Sequence, residues 1–220
     1  MDHMKICFIS CVNDPALYER ARQYMNHLIV PPGFRTEFVV ISDAASLTSG
    51  YNRAMRMTNA KYKVFIHQDV YIVNPQFLLE TIRLFRQYPK LGMLGMAGAE
   101  RLPPTGVWYD EPRRYGKVYG IKPDGLFTLD FLKVGGDYRS VMVVDGLLMM
   151  TQYDLPWRED LFGGWHFYDV SQSLEFREAG YEVGVPAQVS PWCVHDCVLD
   201  FNGYEENRHI LVRHYGKWLR

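Results

Sequence analysis

The sequence predicts an α/β domain in which a mostly parallel sheet is covered by helices, with a loop-rich insertion. Three observations carry that expectation. Apolar strand-like runs alternate with helix-start signals three times before residue 90, the rhythm of strand–helix–strand units. Polar residues gather at the exits of those runs, where open parallel sheets place their ligand crevice. Hydrophobic residues make up 48% of the 220-residue chain, enough to fill the core of one sizeable domain.

The elements follow in order. Lys5 through Ser10 reads as a buried strand, and Asn13-Asp14-Pro15 then starts a helix, with Asp14 as cap and Pro15 in the first turn. Tyr18, Ala21, Arg22 and Met25 keep helical spacing until Pro31-Pro32-Gly33. A second strand at 36–41 runs into Ser42-Asp43, and a helix covers about Gly50 to Thr58. Tyr62 through Ile66 forms a third strand that exits at His67-Gln68-Asp69. Asn74-Pro75 is a second cap-and-turn pair before a helix over 76–88, and Leu91 to Gly98 reads as one short strand. Prolines and glycines interrupt residues 101–140, which we assign as the insertion, a lid or pocket wall with one or two hairpins. Val141 through Met150 restores the sheet pattern. A helix begins near Asp169 and ends at Gly180, a strand follows at 181–185, and a tail helix over 204–218 packs through Ile210, Leu211, Tyr215 and Trp218. The whole of 1–220 is read as a single domain.

A formal charge of -1 gives no broad electrostatic argument for nucleic acid or an anionic membrane as partner, although Arg113 and Arg114 can form part of a local basic patch. No stretch reaches the roughly 18 consecutive apolar residues of a membrane span, and the opening lacks a secretory pattern. Cytoplasmic residence is the expectation, with peripheral membrane association through a partner left open. Cys7, Cys11, Cys193 and Cys197 are too few for a disulfide scaffold. Four thiolates around zinc is one reading of them, and buried thiols is the plainer one.

Four polar clusters can do chemistry. Asp69 offers a hard oxygen to manganese or magnesium, and His67, two residues back on an extended chain, points to the same side and can meet the metal, its water or phosphate. Cys11 and Asn13 at the first strand exit, Asp43 at the second, and Asn52 near a helix start can meet a nucleotide; local capping explains Asp43 and Asn52 as well. In the run from Trp157 to Asp169, two glycines permit a close backbone bend, Trp165 offers a flat face to sugar C–H groups, and Asp169 can accept an acceptor proton, with Glu159 and Asp160 as rival bases and helix capping as the bland role. His195 can complete the metal shell, with Asp196 orienting its ring. His27 and His209 lie in amphipathic stretches and read as surface or packing residues. The chain has no Walker-type phosphate loop and no dinucleotide glycine fingerprint, which lowers kinase and dehydrogenase readings.

Together these segments resemble a glycosyltransferase of the GT-A type, in the family-two-like inverting group, over Lys5 to about His195. Val64-Phe65-Ile66-His67-Gln68-Asp69 resembles the Asp-X-Asp motif that follows an apolar strand, with His67 in place of the first acid. Cys11-Val12-Asn13 resembles the donor base and ribose segment, Asp43 the base-reading acid, and Gly50-Tyr51-Asn52-Arg53-Ala54 the helix start before the metal motif. Gly163-Gly164-Trp165-His166-Phe167-Tyr168-Asp169 resembles the acceptor loop and base motif, with Tyr168 where a glutamate is usual. The resemblance implies a Rossmann-like GT-A fold and transfer of sugar, with inversion, from a nucleotide-diphosphate donor to a saccharide or glycoconjugate acceptor in polysaccharide assembly. It implies Mn2+ or Mg2+ on Asp69 and His195, donor contacts from Cys11, Asn13, Asp43, Asn52 and His67, acceptor contacts from Gly164, Trp165 and His166, and Asp169 as base. The alternatives are a nucleotidyltransferase that makes a nucleotide-sugar and a noncatalytic carbohydrate-recognition protein.

Overall fold

The structure is a computed structural model that describes residues 1–122, 125–196 and 200–220. The chain opens with β1 (Asp2–Cys11), α1 (Pro15–Asn26), β2 (Arg35–Ile41), α2 (Leu47–Met57) and β3 (Ala60–Ile66). It continues through β4 (Val70–Ile72), α3 (Phe77–Gln87), β5 (Leu91–Gly95) and β6 (Ala97–Ala99). The insertion contributes β7 (Arg114–Lys122) and β8 (Gly125–Asp130). Next come β9 (Tyr138–Val141), β10 (Val143–Val144), β11 (Leu148–Thr151), α4 (Tyr168–Glu178), β12 (Glu182–Pro186), β13 (Cys193–His195) and α5 (Tyr204–Tyr215).

The main sheet has seven strands in the order β2-β1-β3-β11-β5-β12-β9. Its first three strands are parallel, and β11 and β9 run against the rest. Along β1, Ile6 and Phe8 enter one core with Tyr18, Met25 and Phe85, while Cys7 and Ile9 enter another with Tyr51, Trp157 and Tyr168. A strand buried on both faces reads as an unbroken apolar run because each alternate side chain has a helix to pack on. The helix starts also have local causes. The Asp14 carboxylate accepts from the amides of Ala16 and Leu17, and Ser46 and Ser49 form a reciprocal capping box at α2. The cap expected at Asn74 is displaced: Asn74 Oδ1 accepts from the Gln76 amide at 3.0 Å and turns the chain before α3, whose own N-cap is Gln76.

A second sheet, not foreseen from the sequence, runs β10-β6-β7-β13-β4, with β8 paired to β7. Two stretches read as single strands are therefore divided. Leu91–Gly98 places β5 in the main sheet and β6 in the second, and Val141–Met150 splits among β9, β10 and β11. Apolar runs buried on every side carry no periodic mark of where one sheet hands over to the other. The insertion makes one short 3-10 turn at Trp108–Asp110 and then forms the β7–β8 hairpin. Gly116, at φ +100°, keeps β7 against β6, since a Cβ there would come within 2.2 Å of the Met96 carbonyl oxygen. The tail helix packs Leu211 and Tyr215 against Val170, Leu174 and Phe162. No helix among the described residues is long and apolar enough to cross a membrane.

Candidate active site

Three side chains meet where β3 ends. His67 follows β3 directly, and its amide donates to the Leu147 carbonyl at 3.1 Å. Residues 67–70 then make a turn closed by the Val70 amide on the His67 carbonyl, so His67 and Asp69 converge through a turn and not through the extended backbone expected. β13 pairs antiparallel with β4 and sets His195 opposite Val70, one residue beyond Asp69. The Asp196 amide donates to the Asp69 carbonyl at 2.9 Å and locks that register. His195 Nε2 consequently lies 3.6 Å from Asp69 Oδ1, and ligand atoms of His67, Asp69 and His195 all fall within 4.8 Å of one another. Ligands of one cation at roughly 2.0–2.3 Å stand up to about 4.5 Å apart, so this trio fits a single divalent ion after a small inward adjustment.

The electrostatics suit ligands. Burial, then repulsion from His195, holds the His67 imidazole down to about 4, so near neutral pH it carries a lone pair. Burial opposes ionisation of Asp69, yet the His195 hydrogen bond and the charge of both imidazoles outweigh it and keep the carboxyl below its usual range. Two imidazoles and one carboxylate leave half of an octahedral shell for water or substrate oxygens.

Two cavities flank the trio. One, of about 240 Å³, is lined by Cys11, Val12, Asn13, Ile41, Ser42, Ala44, Leu47, Gln68, Asp69, His67 and Trp165. The other, of about 200 Å³, reaches Asp145, Gly146, His166, Asp169 and Tyr204, with Val107, Trp108 and Tyr109 of the insertion on its wall. His67 and Trp165 line both, so the two cavities adjoin, with Asp69 on the first and Asp169 on the second, while His195 lines a third cavity, of about 700 Å³, with Asp145, Leu147 and Tyr109. Trp165 is 48% exposed at that junction.

Asp169 sits in the first turn of α4, past the N-cap Phe167, and does not cap the helix. Its Oδ2 accepts from the Gly146 amide at 2.9 Å. Burial, then the Asp145 carboxylate, pushes its carboxyl up to about 7, against the opposing pull of the Val170 and Gly146 amides. Phe167 has φ 60°, a left-handed conformation that costs a β-carbon residue energy and that turns the loop from Trp165 into α4. The rival bases lie elsewhere: Asp160 is held by Arg158 at 2.7 Å, and neither it nor the exposed Glu159 lines the cleft.

Several expected contacts need correction. Asn52 does not reach the cleft: its amide nitrogen donates to the Trp157 carbonyl and its oxygen accepts from the Trp157 amide, each at 2.9 Å. It is a buried splint between α2 and the 157 segment, because a helix face toward the core buries whichever polar group can be satisfied there. Asn52→Ala leaves the Trp157 amide unpaired and removes one of the two donors on its carbonyl, which keeps the Glu159 amide at 2.8 Å, a loss of about 2–4 kcal/mol. The expected drop in Tm is roughly 5–15 °C, measured by thermal denaturation, with metal binding of the folded protein unchanged. Asp43 is 69% exposed and paired with Arg53 at 2.7 Å; its neighbours Ser42 and Ala44 line the cavity in its place. Gly164 does not line the cleft; its carbonyl accepts from the Leu47 amide, which ties the 164 loop to α2. Asp196 bonds Tyr71 and Arg20 and does not orient His195. Cys7 and Cys193 lie in separate cores, with burial raising both thiols, so no four-cysteine cluster forms; Cys197 lies outside the described residues.

Other residues of the site escaped the sequence. Gln68 Oε1 accepts from the amides of Asn13 and Asp14, both at 2.9 Å, which clamps the first strand exit to the third. Tyr168 hydrogen-bonds His67, and Ser42, Tyr109, Asp145 and Tyr204 line the cleft. Position at a strand exit was a signal for Gln68 and Ser42, and Tyr168 stood in the acceptor-loop segment; none marked Tyr109, Asp145 or Tyr204.

Comparison with known proteins adds to this geometry. The mannosyltransferase PcManGT from Pyrobaculum calidifontis, in complex with GDP-Man and Mn2+, superposes at TM-score 0.60 with 13% identity, over 97% of this chain and 63% of that one. S. aureus TarS in complex with UDP gives 0.55 at 8% identity, over 95% and 64%. A variant of the fly beta-1,4-galactosyltransferase 7, named for Drosophila and complexed with manganese, UDP-Gal and xylobiose, gives 0.50 at 14%, over 94% and 80%. The chain thus spans less than two thirds of the first two proteins. No curated protein sequence matches it. The description of a glycosyltransferase-like family matches residues 7–215. With that match covering nearly all of the sequence, and with a GT-A fold, the chain belongs to the glycosyltransferase-like family.

Proposed function

We propose that this protein transfers a sugar, with inversion, from a nucleotide-diphosphate donor to a hydroxyl of a saccharide or glycoconjugate acceptor. The observation that carries the reading is the cleft itself. His67 and Asp69 of the cation-ligand trio and the Asp169 carboxyl, which burial raises to about 7, line adjoining cavities that share His67 and Trp165. The three similar solved structures are complexes with nucleotides or nucleotide-sugars, two of them with manganese.

His67, Asp69 and His195 are the residues to hold Mn2+ or Mg2+. Two imidazoles favour manganese, because magnesium demands a near-ideal shell of oxygens. Such an ion, when bound, offsets the negative charge of the diphosphate leaving group. The chain's own residues do the rest. Ser42, Ala44 and the backbone from Cys11 to Asn13 take the nucleoside, with Gln68 holding that exit in place. Asp43 joins them only if it leaves Arg53. Trp165 lies along the sugar at the junction, with His166 and the insertion residues Trp108 and Tyr109 around the acceptor. Asp169 accepts the attacking hydroxyl's proton while Gly146 keeps its other oxygen oriented. Attack from the Asp169 side, opposite the nucleotide, is what gives inversion. Closure of the insertion over the acceptor end limits hydrolysis.

The test is a donor screen of nucleotide-sugars, with Mn2+ or Mg2+ and simple glycoside acceptors, followed by the anomeric configuration of the product. Transfer with inversion, at least about 10-fold faster with manganese, is expected from the ligand chemistry. Formation of nucleotide-sugar from a nucleoside triphosphate, or sugar binding without turnover, overturns the reading.

A further inference from the structure

Tyr168 occupies a position whose chemistry is assigned to nothing so far. Its side chain is 3% exposed, and its ring packs at 6.0 Å from both Tyr51 and Trp157. Its hydroxyl meets His67 Nε2. A Cβ at Gly146 would stand 2.1 Å from that hydroxyl, so the absence of a side chain at 146 is what lets the phenol reach the imidazole. Gly146 has no positive φ, so space rather than backbone conformation requires a glycine there.

We propose that Tyr168 is a positioning residue for the cation site. Its phenolic oxygen accepts the proton of His67 Nε2, which fixes the tautomer whose lone pair is on Nδ1 and turns that nitrogen toward Asp69 and His195. The inference rests on the trio being a cation site. An imidazole has one proton to place when neutral, and whichever nitrogen holds it cannot ligate. With Nε2 committed to an oxygen, Nδ1 is the nitrogen left for the ion. Partners of this kind, on the far side of a ligating histidine, change metal affinity by about 10–100-fold. Because Tyr168 is joined by one peptide bond to Asp169 at the rigid start of α4, the same turn that aims the base also aims a metal ligand.

Two measurements test this. Long-range ¹H–¹⁵N correlation of histidine-labelled, metal-free protein near pH 7.5 is expected to show His67 as the Nε2–H tautomer, and the Nδ1–H tautomer overturns the proposal without any variant having to fold. Manganese titration by electron paramagnetic resonance then compares wild type, Tyr168→Phe, Tyr51→Phe and Asp69→Ala. Tyr168→Phe keeps the ring and is expected to weaken binding about 10–100-fold. Tyr51→Phe removes a neighbouring buried hydroxyl that has no hydrogen-bond partner among the described residues, and its affinity is expected to stay that of wild type. Wild-type affinity in Tyr168→Phe, or equal losses in both tyrosine variants, sinks the positioning role alone, whereas a wild type that binds no better than Asp69→Ala removes the cation site and the inference with it.

Discussion

Asp169→Asn is expected to transfer sugar about 10²–10⁴-fold more slowly than wild type, with donor and manganese binding retained. The amide can still accept from Gly146, so the loop keeps its shape, but it cannot take a proton from the attacking hydroxyl. The pH profile separates this from a folding defect. Because burial and Asp145 raise the wild-type carboxyl to about 7, kcat/KM is expected to climb through that pH as Asp169 ionises and to level off above it. The asparagine variant should lose the ascending limb. Stability moves the other way. A carboxyl whose folded pKa lies above its unfolded value of 3.8 destabilises the native state progressively as pH rises between the two, and fully above about 7. Asp169→Asn should therefore melt higher than wild type at pH 8 and show no such gain at pH 4. Full transfer activity in this variant would remove the proposed base.

Asp69→Ala is expected to lower metal-dependent transfer by about 10³-fold, and chelation of wild type should do the same. Stabilisation of leaving-group charge by a bound cation amounts to several kcal/mol of barrier, and each 1.36 kcal/mol is about tenfold in rate. Removing Asp69 also leaves two imidazoles without the carboxylate set between them. Excess manganese should restore the chelated wild type and fail to restore the variant at millimolar concentration. Unchanged turnover after exhaustive chelation would separate Asp69 from any metal role. Calorimetry with the nucleoside diphosphate distinguishes the two variants: Asp169→Asn keeps the metal-enhanced component of binding, and Asp69→Ala loses it.

What could be read from the sequence follows a physical divide. Strand exits and helix caps are local, so β1, β2, β3 and the Asp14 cap are visible as patterns, and Asp69 stands out because a charged side chain ends an apolar run. Asp169 was legible as a carboxylate at a helix start. That it lies past the cap, with its pKa raised, depends on Gly146 and Asp145, which reach it only through the fold. Asn52 misled for the converse reason. Its type and place suited a ligand contact, yet its partners are the backbone of Trp157, and backbone carries no sequence signature. The second sheet stayed hidden because β6, β10 and β13 are each two or three residues long, too short for periodicity to register.

β13 contributes one residue, His195, to the ligand trio, and it meets two residues from the first third of the sequence. A partly folded chain in which β13 has not yet paired with β4 holds His67 and Asp69 without His195, and so presents two of the three ligand groups. Any ion that needs all three is blind to such intermediates. Such an ion would put its whole stabilisation on the state in which β13 is paired, and its withdrawal would loosen the segment around β13 most.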